Sequence, residues 1–237
     1  MKTFKTTEDP YFINGVEKFW NDDAENALKD FNKAIDLNPT NASAYAYSGI
    51  TKYLLMDDEG CFNDLKKSSA IDPNNPYAYF FLGIVWYQAN SLETAISCFN
   101  KVIEIEPSFN PGKFGNAYGM RGGIKLSFKD FQGAIDDLTK GIEINPNLTS
   151  IYRDRGHAKK ELNDLQGAIN DFSKAIEIDP NDADSYGFRG ILRQVLKDVQ
   201  GAIDDFSKAL KIDANLADIY TYRGIAKGKL KDLKGAI

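Results

Sequence analysis

The sequence predicts an all-α fold, a solenoid of stacked antiparallel helix pairs, and three recurrences along its 237 residues carry that expectation. A Tyr followed four residues later by Gly occurs at Tyr11/Gly15, Tyr45/Gly49, Tyr79/Gly83, Tyr118/Gly122, Tyr152/Gly156, Tyr186/Gly190 and Tyr220/Gly224. Successive tyrosines are 34 residues apart, except for the step from Tyr79 to Tyr118, which is 39. Downstream, Ala27, Phe31 and Ala34 align with Ala95, Phe99 and Val102, with Ala168, Phe172 and Ala175, and with Ala202, Phe206 and Ala209. Spacings of three and four place such residues on one face of a helix. An Asp or Asn directly before Pro closes several of the blocks (Asn38, Asp72, Asn145, Asp179), and Pro just past a helix end prevents its continuation. A hairpin of this length cannot bury its own apolar face, so neighbouring hairpins must stack.

Taken in order, residues 1–7 form a leading tail, and Met1 to Pro10 contain no apolar stretch of the secretion-signal type. Repeats 1 to 3 span 8–41, 42–75 and 76–109. The insertion 110–114 (Asn110-Pro111-Gly112-Lys113-Phe114) supplies the long step, either as a bend between two sub-arrays or as a surface loop. Repeats 4 to 6 span 115–148, 149–182 and 183–216, and residues 217–237 read as a seventh first helix with the start of its second. Repeat 5 shows the pattern most fully. Tyr152, Gly156 and Lys159 share the first helix, while Leu165, Ala168, Phe172, Ala175 and Ile176 form a stripe on the second. In repeats 4 to 7 an Arg precedes the Gly (Arg121, Arg155, Arg189, Arg223), and an acid follows sixteen residues later at Asp137, Asp171 and Asp205. Antiparallel helices would bring these together as structural ion pairs. Repeat 3 has Leu82 and Cys98 at the two positions, an apolar pair in place of a charged one.

A 34-residue period with these residues resembles the tetratricopeptide repeat, a helix–turn–helix unit, over nearly the whole chain. The Tyr-x-x-Arg-Gly string is similar to a subtype common in bacterial members. The resemblance implies a right-handed superhelix and a non-catalytic scaffold that holds peptides or partner proteins on the concave face, lined by first helices. The residues matching that face in repeats 1 to 3 include Phe12, Val16, Phe19, Ala46, Ile50, Tyr53, Phe80, Ile84 and Tyr87. They form either a binding strip for an apolar or amphipathic segment, or a set that packs on itself or on the N-terminal tail. Repeat 5 instead places Arg153, His157 and Lys160 on one stripe, flanked in neighbouring repeats by Gly119, Gly123 and Gly187. Either these make a pocket for an acidic group, or the stripe is solvated and neutralised by Asp154 and Glu161. The chaperone-binding carboxylate clamp is not matched, since its positions carry Phe12, Val16, Tyr47, Tyr77 and Phe81. An alternative function is self-assembly, a homodimer through the apolar strip or through the C-terminal helix.

Composition narrows the remaining classes. The net charge is −5, with 10 Lys, no Arg and 16 acids up to Phe114 and an excess of one base beyond it. An acidic chain argues against non-specific nucleic-acid binding. One His and two Cys, without a C-x-x-C pair, give no metal site, and Cys61 and Cys98 read as free thiols. No phosphate loop, nucleophile elbow or dinucleotide fingerprint occurs, so neither enzymatic activity nor a cofactor is expected. No run reaches the length of a membrane span. A cytoplasmic protein is the expectation, or a periplasmic one if a leader has been removed.

Overall fold

The computed structural model describes residues 9–112 and 115–235, with side chains as far as Lys231. The leading tail (1–7), two residues of the insertion (113 and 114) and the last two residues lie outside the described residues. Among the described residues there are thirteen helices and no strand. They are α1 (Pro10–Trp20), α2 (Ala24–Leu37), α3 (Ala42–Leu54), α4 (Asp58–Ile71), α5 (Pro76–Gln88), α6 (Leu92–Ile105) and α7 (Ala117–Ser127). After them come α8 (Phe131–Ile144), α9 (Thr149–Glu161), α10 (Leu165–Ile178), α11 (Ala183–Val195), α12 (Val199–Ile212) and α13 (Ala217–Gly235). The chain divides into two compact units, Met1–Arg121 and Gly122–Ile237. In the N-terminal unit α1 packs on α2, α3 on α4 and α5 on α6, and α2 against α3 and α4 against α5 join the pairs. In the C-terminal unit α8 to α13 pack each on the next. Each unit is thus a stack of helix pairs, as the period predicts.

The reversal inside each pair has one local cause. The residue after the turn of the first helix is left-handed: Asp22, Met56, Asn90, Lys129, Asn163 and Lys197 have φ between +57° and +67°. The next residue caps the second helix. Asp57, Asp130, Asp164 and Asp198 each accept the backbone N–H of Gly60, Gly133, Gly167 and Gly201 at 2.9–3.0 Å. Such caps satisfy donors that a helix start otherwise leaves unmade.

The two helices of a pair approach closely because the recurring Gly has no side chain. A Cβ on Gly190 would stand 2.7 Å from the ring of Phe206, whereas one on Gly224 would meet nothing within 4 Å. Identical substitutions at these equivalent positions therefore have opposite signs. Gly190→Ala is expected to destabilise the chain, because Phe206 is fully buried and must move. Gly224→Ala is expected to stabilise α13 by about 0.5–1 kcal/mol, the ordinary helix preference of Ala over Gly. Thermal melts of the two variants beside the parent check the contrast.

Ion pairs clasp the two helices of several hairpins. Arg155 donates from Nε and Nη2 to the two carboxylate oxygens of Asp171 at 3.0 and 2.7 Å, and Arg189 grips Asp205 in the same way at 2.9 and 2.7 Å. A second cation three residues beyond the Gly reaches the same acid: Lys159 to Asp171 and Arg193 to Asp205, both at 2.8 Å. In repeat 2 Ser48 and Lys52 both hold Asp64 at 2.6 Å. The arginines also stitch pairs together, since Nη1 of Arg155 donates to Thr139 of α8 and Nη1 of Arg189 to Ser173 of α10. Each guanidinium lies over the Tyr one turn earlier, Tyr152 or Tyr186, 5.4–5.8 Å from the ring centre. Of the Arg–Asp pairs legible at a spacing of sixteen, Arg155–Asp171 and Arg189–Asp205 are thus structural. The clasp at a spacing of twelve was not read from the sequence, although Lys159 was visible in the repeat.

No described helix is long and apolar enough to cross a membrane.

Candidate functional site

The residues of the apolar strip are mostly interior. Phe12, Val16, Phe19, Ala46, Ile50, Phe80 and Ile84 are buried, Tyr53 is half-buried, and only Tyr87, 39% exposed, keeps a large surface. The rings fill the space between successive first helices. Tyr47 of α3 is the hub, with Phe12 and Phe19 of α1, Phe31 of α2, and Tyr77 and Phe81 of α5 at 5.1–5.7 Å between centroids. Burial pushes the Tyr47 phenol well above its usual range, and its hydroxyl hydrogen-bonds with Tyr77 and Trp20. The end of repeat 3 and the insertion that follows it close this face further. Phe109 is buried edge-on to Tyr77 at 4.8 Å and near Phe80 at 5.6 Å. Gly112 lies against Trp20, where a Cβ would stand 3.4 Å from the indole. Of the two readings the strip admitted, the geometry matches mutual packing: helical spacing marks residues that share a face, but long aromatics there reach the next pair and cover one another.

The basic stripe of repeat 5 does not gather around an open seat. Arg153 turns to Asp182, the last residue of its own repeat, at 3.3 Å and to Asp184 of the following repeat at 3.7 Å. Lys160 pairs with Glu161 at 2.9 Å. His157 lies edge-on between Phe172 and Phe188, at 5.3 and 4.3 Å, and burial with the nearby Lys160 and Arg153 lowers its pKa. The glycines have separate roles. A Cβ on Gly187 would come within 3.0 Å of Ile219, so this Gly lets α11 approach α13. One on Gly123 would stand 3.6 Å from a carboxylate oxygen of Asp154, and Gly119 donates its N–H to Asn116 at 2.9 Å.

Asp154 is the unusual acid here. Burial raises its pKa to about 6, against a smaller lowering by Arg153. Its folded pKa thus exceeds the unfolded value of about 3.8, so folding favours the protonated form. Stability from this group is full at low pH and falls as pH rises from about 3.8 to about 6. Asp154→Asn is expected to stabilise the chain by about 1–2 kcal/mol at pH 7, a gain that disappears towards pH 4. Urea unfolding of both proteins at the two pH values checks it.

Two open cavities lie on the first helices of the C-terminal unit. A cavity of about 450 Å³ lies between α11 and α13, floored by Phe188, Ile191, Leu216, Ile219 and Tyr222 and edged by Asp184 and Asp218. A second cavity of about 500 Å³ adjoins it at the starts of α9 and α11, lined by Arg153 and by Asp179, Asp182, Asp184 and Asp213. Ala183 and Asp184 belong to both. Apart from Arg153 and Gly187, the residues lining these cavities were not read from the sequence as a site. Their signal was nonetheless periodic: Asp184 and Asp218, and Phe188 and Tyr222, each stand 34 residues apart. Among the described residues no group of His, Cys, Asp or Glu could hold a metal ion.

Stacked helix pairs of this kind define a helical-repeat protein. Family comparison gives this class a name. Models of the tetratricopeptide repeat match residues 76–109 and 115–148, and another, of the TPR repeat, matches 156–192. The chain belongs to the tetratricopeptide-repeat proteins. No curated protein matches the sequence. Among solved structures, pilF of Pseudomonas aeruginosa superposes with a TM-score of 0.79 at 16% identity, covering 92% of this chain and 96% of that one. YrrB, described as a TPR protein with an unusual peptide-binding site, has a TM-score of 0.67 at 21% identity, covering 82% and 97%. MamA has 0.62 at 24%, covering 75% and 94%. At these identities the likeness is one of fold.

Proposed function

We propose that this protein is a non-catalytic scaffold that holds a peptide segment of a partner along the first helices of its C-terminal unit. Tetratricopeptide-repeat proteins bind peptides or proteins, and the structural neighbour YrrB is described with a peptide-binding site. The observation that carries the assignment to this face is the open apolar cavity between α11 and α13, set against the closed, self-packed first helices of the N-terminal unit. A buried apolar side chain from the partner would gain from leaving water there. Peptides selected from a random displayed library against the whole chain test it. Polar replacement at Ile191 and Tyr222 is expected to abolish their binding while the melting profile persists; unchanged binding would place the site elsewhere.

A second reading, a homodimer, has one observation in its favour. Tyr220 and Ile225 of α13 are each nearly half exposed. Light scattering across a concentration series separates the two, because a strict monomer at high concentration eliminates the dimer.

A further inference from the structure

We propose that the C-terminal unit selects a partner segment in which a Lys or Arg stands beside an apolar side chain, through the two adjoining cavities that share Asp184. This rests on the reading that the cavity between α11 and α13 receives the partner, and it names the chemistry of what enters. The first cavity has an aromatic and aliphatic floor and takes the apolar side chain. The second is bounded by four aspartates and one arginine, and Asp218 adds a fifth carboxylate at the edge of the first. The sign of the paired cavities is therefore negative, although Arg153 stands in the lining.

The individual carboxylates show which of them are available. Asp182 is occupied on both oxygens: it accepts the N–H and the hydroxyl of Ser185, and Arg153. Asp179 and Asp213 accept the N–H groups of Asn181 and Asn215, at 2.9 and 2.8 Å. They keep their charge but are held in place. Asp184 differs, because its side chain is 59% exposed and Arg153 reaches it only at 3.7 Å. Asp218 is exposed as well, at the equivalent position of the next repeat. A cation lodged at Asp184 would meet an exposed carboxylate that Arg153 engages only at 3.7 Å, within a ring of like charges, which lowers its energy and speeds its approach. An anion there would face the same ring and be repelled, so the arrangement selects against acidic segments. The junction at Ala183–Asp184 fixes the spacing: the two recognised side chains must be near neighbours in the partner.

The test begins with random peptides displayed on phage and selected on the full-length protein. Enrichment of Lys or Arg within two residues of a Leu, Ile, Phe, Tyr or Trp is the expected result. The best synthetic peptide is then measured by fluorescence anisotropy. Changing its basic residue to Glu, or the protein's Asp184→Asn with Asp218→Asn, is expected to weaken binding about tenfold or more, and raising salt from about 50 to about 300 mM to weaken it further. The same double variant should leave binding of the peptide's Gln version unchanged. If Ile191→Ser abolishes binding but selected peptides lack basic residues and Asp184→Asn has no effect, the cation requirement is overturned while the cavity assignment stands. If Ile191→Ser has no effect, or no peptide is selected, both fall. Enrichment of acidic peptides that depend on Arg153 would overturn the proposed sign.

Discussion

Asp205→Ala is expected to destabilise the C-terminal unit by about 3 kcal/mol or more, one of the largest losses available from a single side chain in this chain. The Asp205 side chain is 4% exposed and accepts three charge-assisted hydrogen bonds, two from Arg189 and one from Arg193. Neither guanidinium can lose its proton to escape an unpaired, half-buried position. The cost of removing the acid is therefore chiefly the stranded charge, and it also frees the hydrogen bond that Arg189 makes to Ser173 of the preceding pair. Repeat 3 supplies the control within the same molecule. There Leu82, Trp86 and Cys98 occupy the three equivalent positions, with Trp86 packed on Phe62. Replacing Arg189, Arg193 and Asp205 together by those three residues is expected to cost less than Asp205→Ala alone, because an apolar set leaves no charge behind. Urea unfolding followed by far-ultraviolet circular dichroism reads both. A loss below about 1 kcal/mol for Asp205→Ala would show that solvent reaches the clasp and compensates the arginines.

Tyr47→Ala is expected to cost about 3–5 kcal/mol in the N-terminal unit, the range for emptying an aromatic site in a packed core. Five rings from three other helices lean on Tyr47, and its hydroxyl joins Trp20 of α1 to Tyr77 of α5. Tyr47→Phe separates the two contributions. It keeps the ring and loses the hydrogen bonds, at about 1 kcal/mol. The phenol's folded pKa is raised, so its contribution is complete below the unfolded value near pH 10 and is lost as pH climbs past it. Tyr47→Phe should abolish that alkaline loss. An equal fall in stability for the Ala and Phe variants would mean that the surrounding rings collapse into the space.

Most of the fold was legible before any coordinates. Seven Tyr–Gly pairs, 34 residues apart at every step but one, marked the first helices, and Ala-x-x-x-Phe-x-x-Ala marked the second. The Arg–Asp pairs at Arg155/Asp171 and Arg189/Asp205 followed from antiparallel geometry, since sixteen residues is the path from one helix through the turn to the facing residue. The candidate sites were less accessible. The strip containing Phe12, Phe19 and Phe80 is spaced as one face of the first helices, yet its exposure depended on what the neighbouring side chains do. Large rings at successive repeats, together with Phe109 at the end of repeat 3 and Gly112 in the insertion, closed it.

The charge of the remaining open face shows the same division. Arg153, His157 and Lys160 do share a stripe of α9, as their spacing requires. The acids that answer Arg153 come from positions 29 and 31 residues further along, at the start of α11, and they reverse the sign of the cavity. Periodicity determined the helices, their pairing and which residues share a face, because these depend on local spacing and on the need of each pair for a neighbour. Whether a face is filled or open, and which charge it presents, was decided only by the stacked structure, because side-chain length and the neighbour's residues act across the gap between repeats.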